Sequence, residues 1–148
     1  MKKTVLYFIA IVGMVAAMAF KPTGKATINN KDGITFFKGT FDEALKASAE
    51  QGKPIFMDAY TTWCHWCKEL DKKTFSNADV VAYLNENFIN LKMDMEKGEG
   101  PKLAQKYNVE GYPTLLFLNS EGTTIGNIYG YTTAENFLKD AKAAKAGF

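Results

Sequence analysis

The chain is read as an α/β fold, a central mixed β-sheet flanked by helices, with elements in the order βαβαβαββα. Three observations predict it. Short apolar runs alternate with segments of helical period along residues 34–144. Pro54–Tyr60 is apolar on both alternate sets of positions except at Asp58, as in an inner strand covered on both faces. Two short strands then stand either side of a tight turn before a last capped helix, which adds an antiparallel hairpin to an otherwise alternating order.

The elements follow in chain order. Ile34–Phe37 reads as a short first strand. Thr40 with Glu43 three residues on forms a capping box, so a helix starts at Phe41 and runs to about Gln51, where Gly52 stops it. After the strand Pro54–Tyr60, Cys64 to about Phe75 reads as helix. A second helical piece starts at Ser76, with Asp79 in its first turn, and ends at Asn87. Phe88–Met93 is the next strand. Gly98 breaks the chain, and Pro101 suits the first turn of a short helix ending at Tyr107. Thr114–Leu118, the turn Asn119–Gly122 and Thr124–Tyr129 make the hairpin. Thr132 with Glu135 is expected to cap a final helix that reaches about Ala144.

Ahead of this domain, taken as residues 34–148, Lys2 and Lys3 precede an apolar run from Val5 to Ala19 that ends Ala17-Met18-Ala19. This is the pattern of a secretory signal, residues 1–19, cut before Phe20. The alternative is an uncleaved anchor, since the run is only a little shorter than the roughly 17 residues that span a bilayer. Residues 20–33, with Pro22 and Gly24, read as a flexible lead-in. The chain is therefore expected to be exported, to the periplasm.

All 18 basic residues are lysine, against 16 acids. Without arginine the chain lacks the bidentate fork favoured in phosphate and base-edge recognition, which argues against nucleic acid as a partner. A hydrophobic fraction of 47% over 148 residues can build a core without metal or several disulfides.

The chemistry lies in Trp63-Cys64-His65-Trp66-Cys67-Lys68, which holds both cysteines of the chain, directly after the apolar strand and at the start of a helix. A helix N-terminus offers free amides and partial positive charge, which favour a thiolate. Cys64 is the candidate nucleophile. Cys67 lies almost one turn on, close enough to close a small ring with Cys64, and is the candidate resolving thiol. Zinc wants four ligands where this motif has two cysteines and the one histidine, and Lys68 after Cys67 excludes c-type haem attachment. No cofactor is expected. A purely structural bridge is the stronger rival in an exported chain, but so short a loop would stabilise little.

Asp58, a carboxylate on an apolar strand, should be desolvated and could accept the proton that Cys67 loses. His65, if protonated, would add positive charge beside Cys64. Trp63 and Trp66 could flank the sulfurs as an apolar docking surface.

Asp58-Ala59-Tyr60-Thr61-Thr62-Trp63-Cys64-His65-Trp66-Cys67, with Gly111-Tyr112-Pro113-Thr114 before an apolar strand and the closing hairpin and helix, resembles the thioredoxin family from Ile34 to Ala144. The Trp-Cys-x-Trp-Cys-Lys wording is closer to small exported thioredoxin-like proteins and periplasmic disulfide-reductase domains than to cytoplasmic thioredoxin, whose motif has Gly-Pro between the cysteines. The resemblance implies that Pro113 is a cis-proline facing the cysteines and that the backbone of Tyr112 pairs with a substrate strand. It sets Asn90 where the family keeps a lysine near the buried carboxylate. The implied activity is thiol-disulfide exchange with thiol- or disulfide-bearing exported proteins, in the reductase or isomerase direction, with a membrane or soluble partner recycling the pair. The alternative is a binding or chaperone-like module on the same fold without turnover.

Overall fold

The computed structural model describes residues 33–148, so the expected signal segment 1–19 and nearly all of the lead-in 20–33 lie outside the described residues. Within them the order is α1 (Phe41–Gln51), β1 (Ile55–Tyr60), α2 (His65–Lys73), α3 (Ala78–Asn87), β2 (Ile89–Asp94), α4 (Gly100–Lys106), β3 (Thr114–Leu118), β4 (Thr124–Tyr129) and α5 (Ala134–Ala146). The four strands form one mixed sheet in the order β2-β1-β3-β4. β1 runs parallel to β2 and antiparallel to β3, and β3 and β4 form the hairpin.

Successive strand residues point to opposite faces, and this sorts the core into two layers. Ile55, Met57 and Ala59 of β1 join Leu91, Leu116 and Leu118 under Phe41 and Ala44 of α1 and Leu103 of α4. Phe56 of β1 joins Leu115 and Phe117 on the other face, under Leu70 of α2, Val80 and Leu84 of α3, and Phe137 and Ala141 of α5. Asp58 shares the Phe56 face by the same alternation, which sets it on the side that α2 covers. Phe56 is fully buried at the centre of that layer, with Phe75 and Phe137 edge-on at 5.7 and 5.4 Å. Such pairs add about 0.5–1.5 kcal/mol to the burial itself.

Local chemistry explains the helix limits. The capping box at Thr40 is formed: Glu43 N–H donates to Thr40 Oγ1 at 3.2 Å and Thr40 N–H to Glu43 Oε2 at 2.7 Å. Gly52 ends α1 at φ 61°, a conformation that costs a residue without Cβ little. At Gly126 of β4 a side chain would press on Ala144 and Phe117, so glycine lets α5 lie close to the sheet.

Four local expectations are corrected. Ile34–Phe37 is not a fifth strand: a single parallel bridge joins Phe36 to Asn90. The backbone of Thr35 bonds instead to side-chain amides, its N–H to Asn85 Oδ1 and its C=O to Asn90 Nδ2, so no ladder propagates. Cys64 is the N-cap of α2 rather than a residue of its first turn, and that helix stops at Lys73. α3 is capped by Asn77, whose Oδ1 accepts from Asp79 and Val80 N–H, instead of starting at Ser76. The last helix is capped by Thr133, which accepts from Asn136 N–H, one residue later than expected from Thr132 and Glu135.

Candidate active site around Cys64 and Cys67

β1 delivers the chain from the middle of the sheet to its end, where Cys64 N–H donates to Thr61 O at 3.3 Å and closes the turn into α2. Cys64 caps that helix with its sulfur, which accepts from Cys67 N–H at 3.0 Å. Cys64 and Cys67 are joined as a disulfide, their Cα atoms 5.3 Å apart, and both are buried. The amide that bonds Cys64 Sγ would favour negative charge there once the bond is opened.

Aromatic side chains stand around this sulfur pair. Trp63 is 64% exposed, meets the Tyr112 ring edge-on at 5.9 Å, and donates from Nε1 to Glu96 Oε1 at 3.0 Å. Trp66 is 56% exposed and lies between His65, at 5.4 Å, and Tyr131, at 5.9 Å. Both tryptophans thus face solvent and neither belongs to the core. The β1–β3 register pairs Ala59 with Thr114, which brings the preceding Pro113 to the end of β1 from which the cysteine turn leaves. Pro113 is buried, and its peptide bond with Tyr112 is cis. Among the described residues the Tyr112 backbone makes no backbone hydrogen bond.

Asp58 is buried, and Lys92 Nζ lies 2.7 Å from its Oδ2. The same Nζ reaches Asp71 Oδ1 of α2 at 2.6 Å and stands over the Tyr60 ring at 4.9 Å. Burial raises the Asp58 carboxyl above its ordinary value, and the lysine only partly opposes this. Burial works against the Lys92 ammonium too, but its two carboxylates outweigh it and raise Lys92. Asp58 Oδ1 has no hydrogen-bond partner among the described residues, which leaves one oxygen of a partly desolvated base uncommitted.

The expected substitution of asparagine for the lysine is therefore wrong in position. The lysine is present as Lys92, and β1–β2 pairing sets it directly opposite Asp58. Asn90 pairs with Phe56 instead and holds the N-terminal segment through Thr35 O and Phe37 N–H. Lys92, Asp71, Glu96 and Tyr131 were missed by sequence reasoning. For Lys92 a signal existed: in Ile-Asn-Leu-Lys-Met-Asp the polar residues alternate with apolar ones, which puts a lysine on an inward position just as Asp58 is.

A family model described as a thioredoxin-like domain matches residues 41–145. Over 100 residues the chain is 38% identical to the thiol:disulfide interchange protein DsbD of Yersinia pestis, covering 66% of this chain and 17% of that protein. It spans about a sixth of the length of such curated relatives. A solution structure from Bacteroides thetaiotaomicron, of a candidate disulphide-isomerase, is 48% identical with a TM-score of 0.68, covering 76% of this chain and 93% of that one. The oxidised C-terminal domain of Neisseria meningitidis DsbD shares the fold, with a TM-score of 0.60 at 23% identity, covering 73% of this chain and 97% of that domain. A domain model that takes in nearly all of the folded residues, and a 48%-identical chain with the same backbone course, establish that this chain belongs to the thioredoxin-like domain family.

Proposed function

We propose that the chain is an exported thiol:disulfide oxidoreductase acting on protein substrates through Cys64 and Cys67. The observation that carries this reading is the Cys64 sulfur at the cap of α2, bonded to the Cys67 amide and joined to the Cys67 sulfur. In the reduced pair the Cys64 thiolate attacks a substrate disulfide, forming a Cys64–substrate disulfide and releasing one substrate thiolate. Cys67 gives its proton to Asp58 and attacks the Cys64 sulfur. The second substrate thiolate leaves, two electrons have passed to the substrate, and the pair is a disulfide. A dithiol partner, membrane-bound or soluble, must then reduce it for another turnover.

Pro113 and Tyr112 form the wall on which a substrate strand would lie, Trp63 and Trp66 the apolar rim, and His65 the exposed first residue of α2 beside Cys64. The name of the 38%-identical relative, a thiol:disulfide interchange protein, supports the exchange reading, and that of the Bacteroides structure favours isomerisation within the reductase or isomerase reading. Export rests on the apolar pattern of residues 1–19, with the domain at 34–148; among the described residues no helix is long and apolar enough to cross a membrane.

Insulin reduction with dithiothreitol as the recycling thiol tests the activity, and reduction should be faster with the chain than without it. No acceleration, with the pair reduced at the outset, would move a binding module without turnover ahead. Cell fractionation of the full chain tests export: a cytoplasmic, full-length product would remove that part.

A further inference from the structure

The loop before β3 and the end of β4 border an open groove of about 670 Å³, lined by Asn108, Glu110, Tyr112, Pro113, Tyr129 and Gly130 among others. It adjoins the disulfide, because Pro113 lies at the end of β1 and the Tyr112 ring touches Trp63, the neighbour of Cys64. Glu110 is the one lining group that carries charge at neutral pH. Asn108 Nδ2 donates to Glu110 Oε1 at 3.0 Å, which orients the carboxylate and leaves Oε2 uncommitted. Among the described residues no lysine lies within ion-pair distance of Glu110. Tyr129 presents an aromatic ring, 71% exposed.

A carboxylate and an open aromatic face both attract a cation. An acidic side chain would meet Glu110 as a like charge, and an apolar one would strip water from it without a bond in return. The chain carries a net charge of +2, so no overall field draws a basic partner and any preference must be local. We propose that this groove is a subsite for a lysine or arginine side chain of the polypeptide that exchanges with Cys64. Because the groove adjoins Trp63 and Pro113, that side chain belongs to a residue close in sequence to the partner's cysteine. The subsite rests on the exchange reading above and names the substrates it prefers.

The test uses the reduced full chain and a set of peptides, each with one cysteine joined by a disulfide to a chromogenic aryl thiol. Lysine, arginine, norleucine or glutamate is placed at each of the three positions on either side of that cysteine. Attack of Cys64 on the peptide sulfur transfers the peptide to Cys64 and releases the aryl thiolate, whose absorbance gives the rate. At one position at least, lysine and arginine should react about 5-fold faster than norleucine, and glutamate slowest. Glu110→Gln should shrink the preference, Glu110→Lys should invert it, and added salt should weaken it. Rates that agree within about 2-fold for all four residues at every position, less than one such interaction supplies, would overturn the subsite while leaving exchange intact. So would a lysine preference that survives Glu110→Gln. If no peptide releases its aryl thiolate, the exchange reading fails and the subsite falls with it.

Discussion

Asp58 of β1 and Lys92 of β2 are register partners in the parallel pair, and their side chains meet at 2.7 Å on the face covered by α2. The lysine is also bonded to Asp71, on the helix that Cys64 caps, so the buried carboxylate, the neighbouring strand and the cysteine helix share one cation. The helix that Cys64 caps is thereby tied to the sheet. Four expected outcomes follow from this arrangement and the packing around it.

Lys92→Met removes the cation that faces Asp58. Breaking a buried pair from one side costs about 3 kcal/mol at neutral pH, because the carboxylate is left charged without a partner. The loss should shrink in acid, where Asp58 is neutral. Urea unfolding followed from neutral pH down into the acid range reads it, and a loss that stays constant across the whole range would show that Lys92 acts through packing alone.

Asp58→Asn should change the pH dependence of both stability and exchange. The carboxyl is raised above 3.8 in the folded chain. Between 3.8 and that higher folded value the native state holds a proton the unfolded chain has lost, so wild-type stability falls as pH rises through this window and stays lower above it. The variant should lack that fall. It should also slow exchange at the step in which Cys67 loses its proton, and an unchanged rate from pH 6 to 8 would make Asp58 a scaffold residue.

Cys67→Ser leaves Cys64 at the helix cap but removes the thiol that releases substrate. Expressed with residues 1–19 in place, it should accumulate as covalent adducts with other proteins, seen as reducible higher-mass bands on a non-reducing gel. Cys64→Ser and the double variant should give none. Only monomer from Cys67→Ser in the presence of disulfide-bearing proteins would contradict the proposed order of attack.

Phe56→Ala opens the centre of the aromatic layer under α2, α3 and α5. Phe56 is fully buried and touches Phe75, Phe117 and Phe137, so the expected cost is about 3–5 kcal/mol. Denaturant midpoints at fixed pH measure it. A loss below about 1 kcal/mol, well under the usual range, would mean that the layer closes over the gap.

Much of this architecture is legible in local chemistry. The capping box at Thr40, the two-faced apolar strand ending at Tyr60 and the turn at Asn119–Gly122 each depend on neighbours a few residues away. So does the placing of Cys64 and Cys67 at a helix start. Three helix starts were misplaced by about a residue, and the larger misreadings depend on partners far along the chain. Asn90 and Lys92 lie two residues apart on one face, and only the register with β1 decides which of them meets Asp58. The apolar run Ile34–Phe37 has strand composition, but Asn85 and Asn90, 50 and 55 residues on from Thr35, take the backbone groups a ladder would need. Glu96 and Tyr131 reach the tryptophans through the fold alone.

The single bridge at Phe36 has a consequence for the chain in company. β2 is an outermost strand, and a bare outer strand offers its amides and carbonyls as a template to any other extended chain. Here the Phe36–Asn90 bridge and the Phe37 N–H to Asn90 O bond at 2.8 Å occupy that border at its first half. The segment also turns away at Gly39 into α1 after one paired residue, too short to serve as a template itself. The first half of one flank of the sheet is thereby closed to pairing with another extended chain, a second copy of this one included.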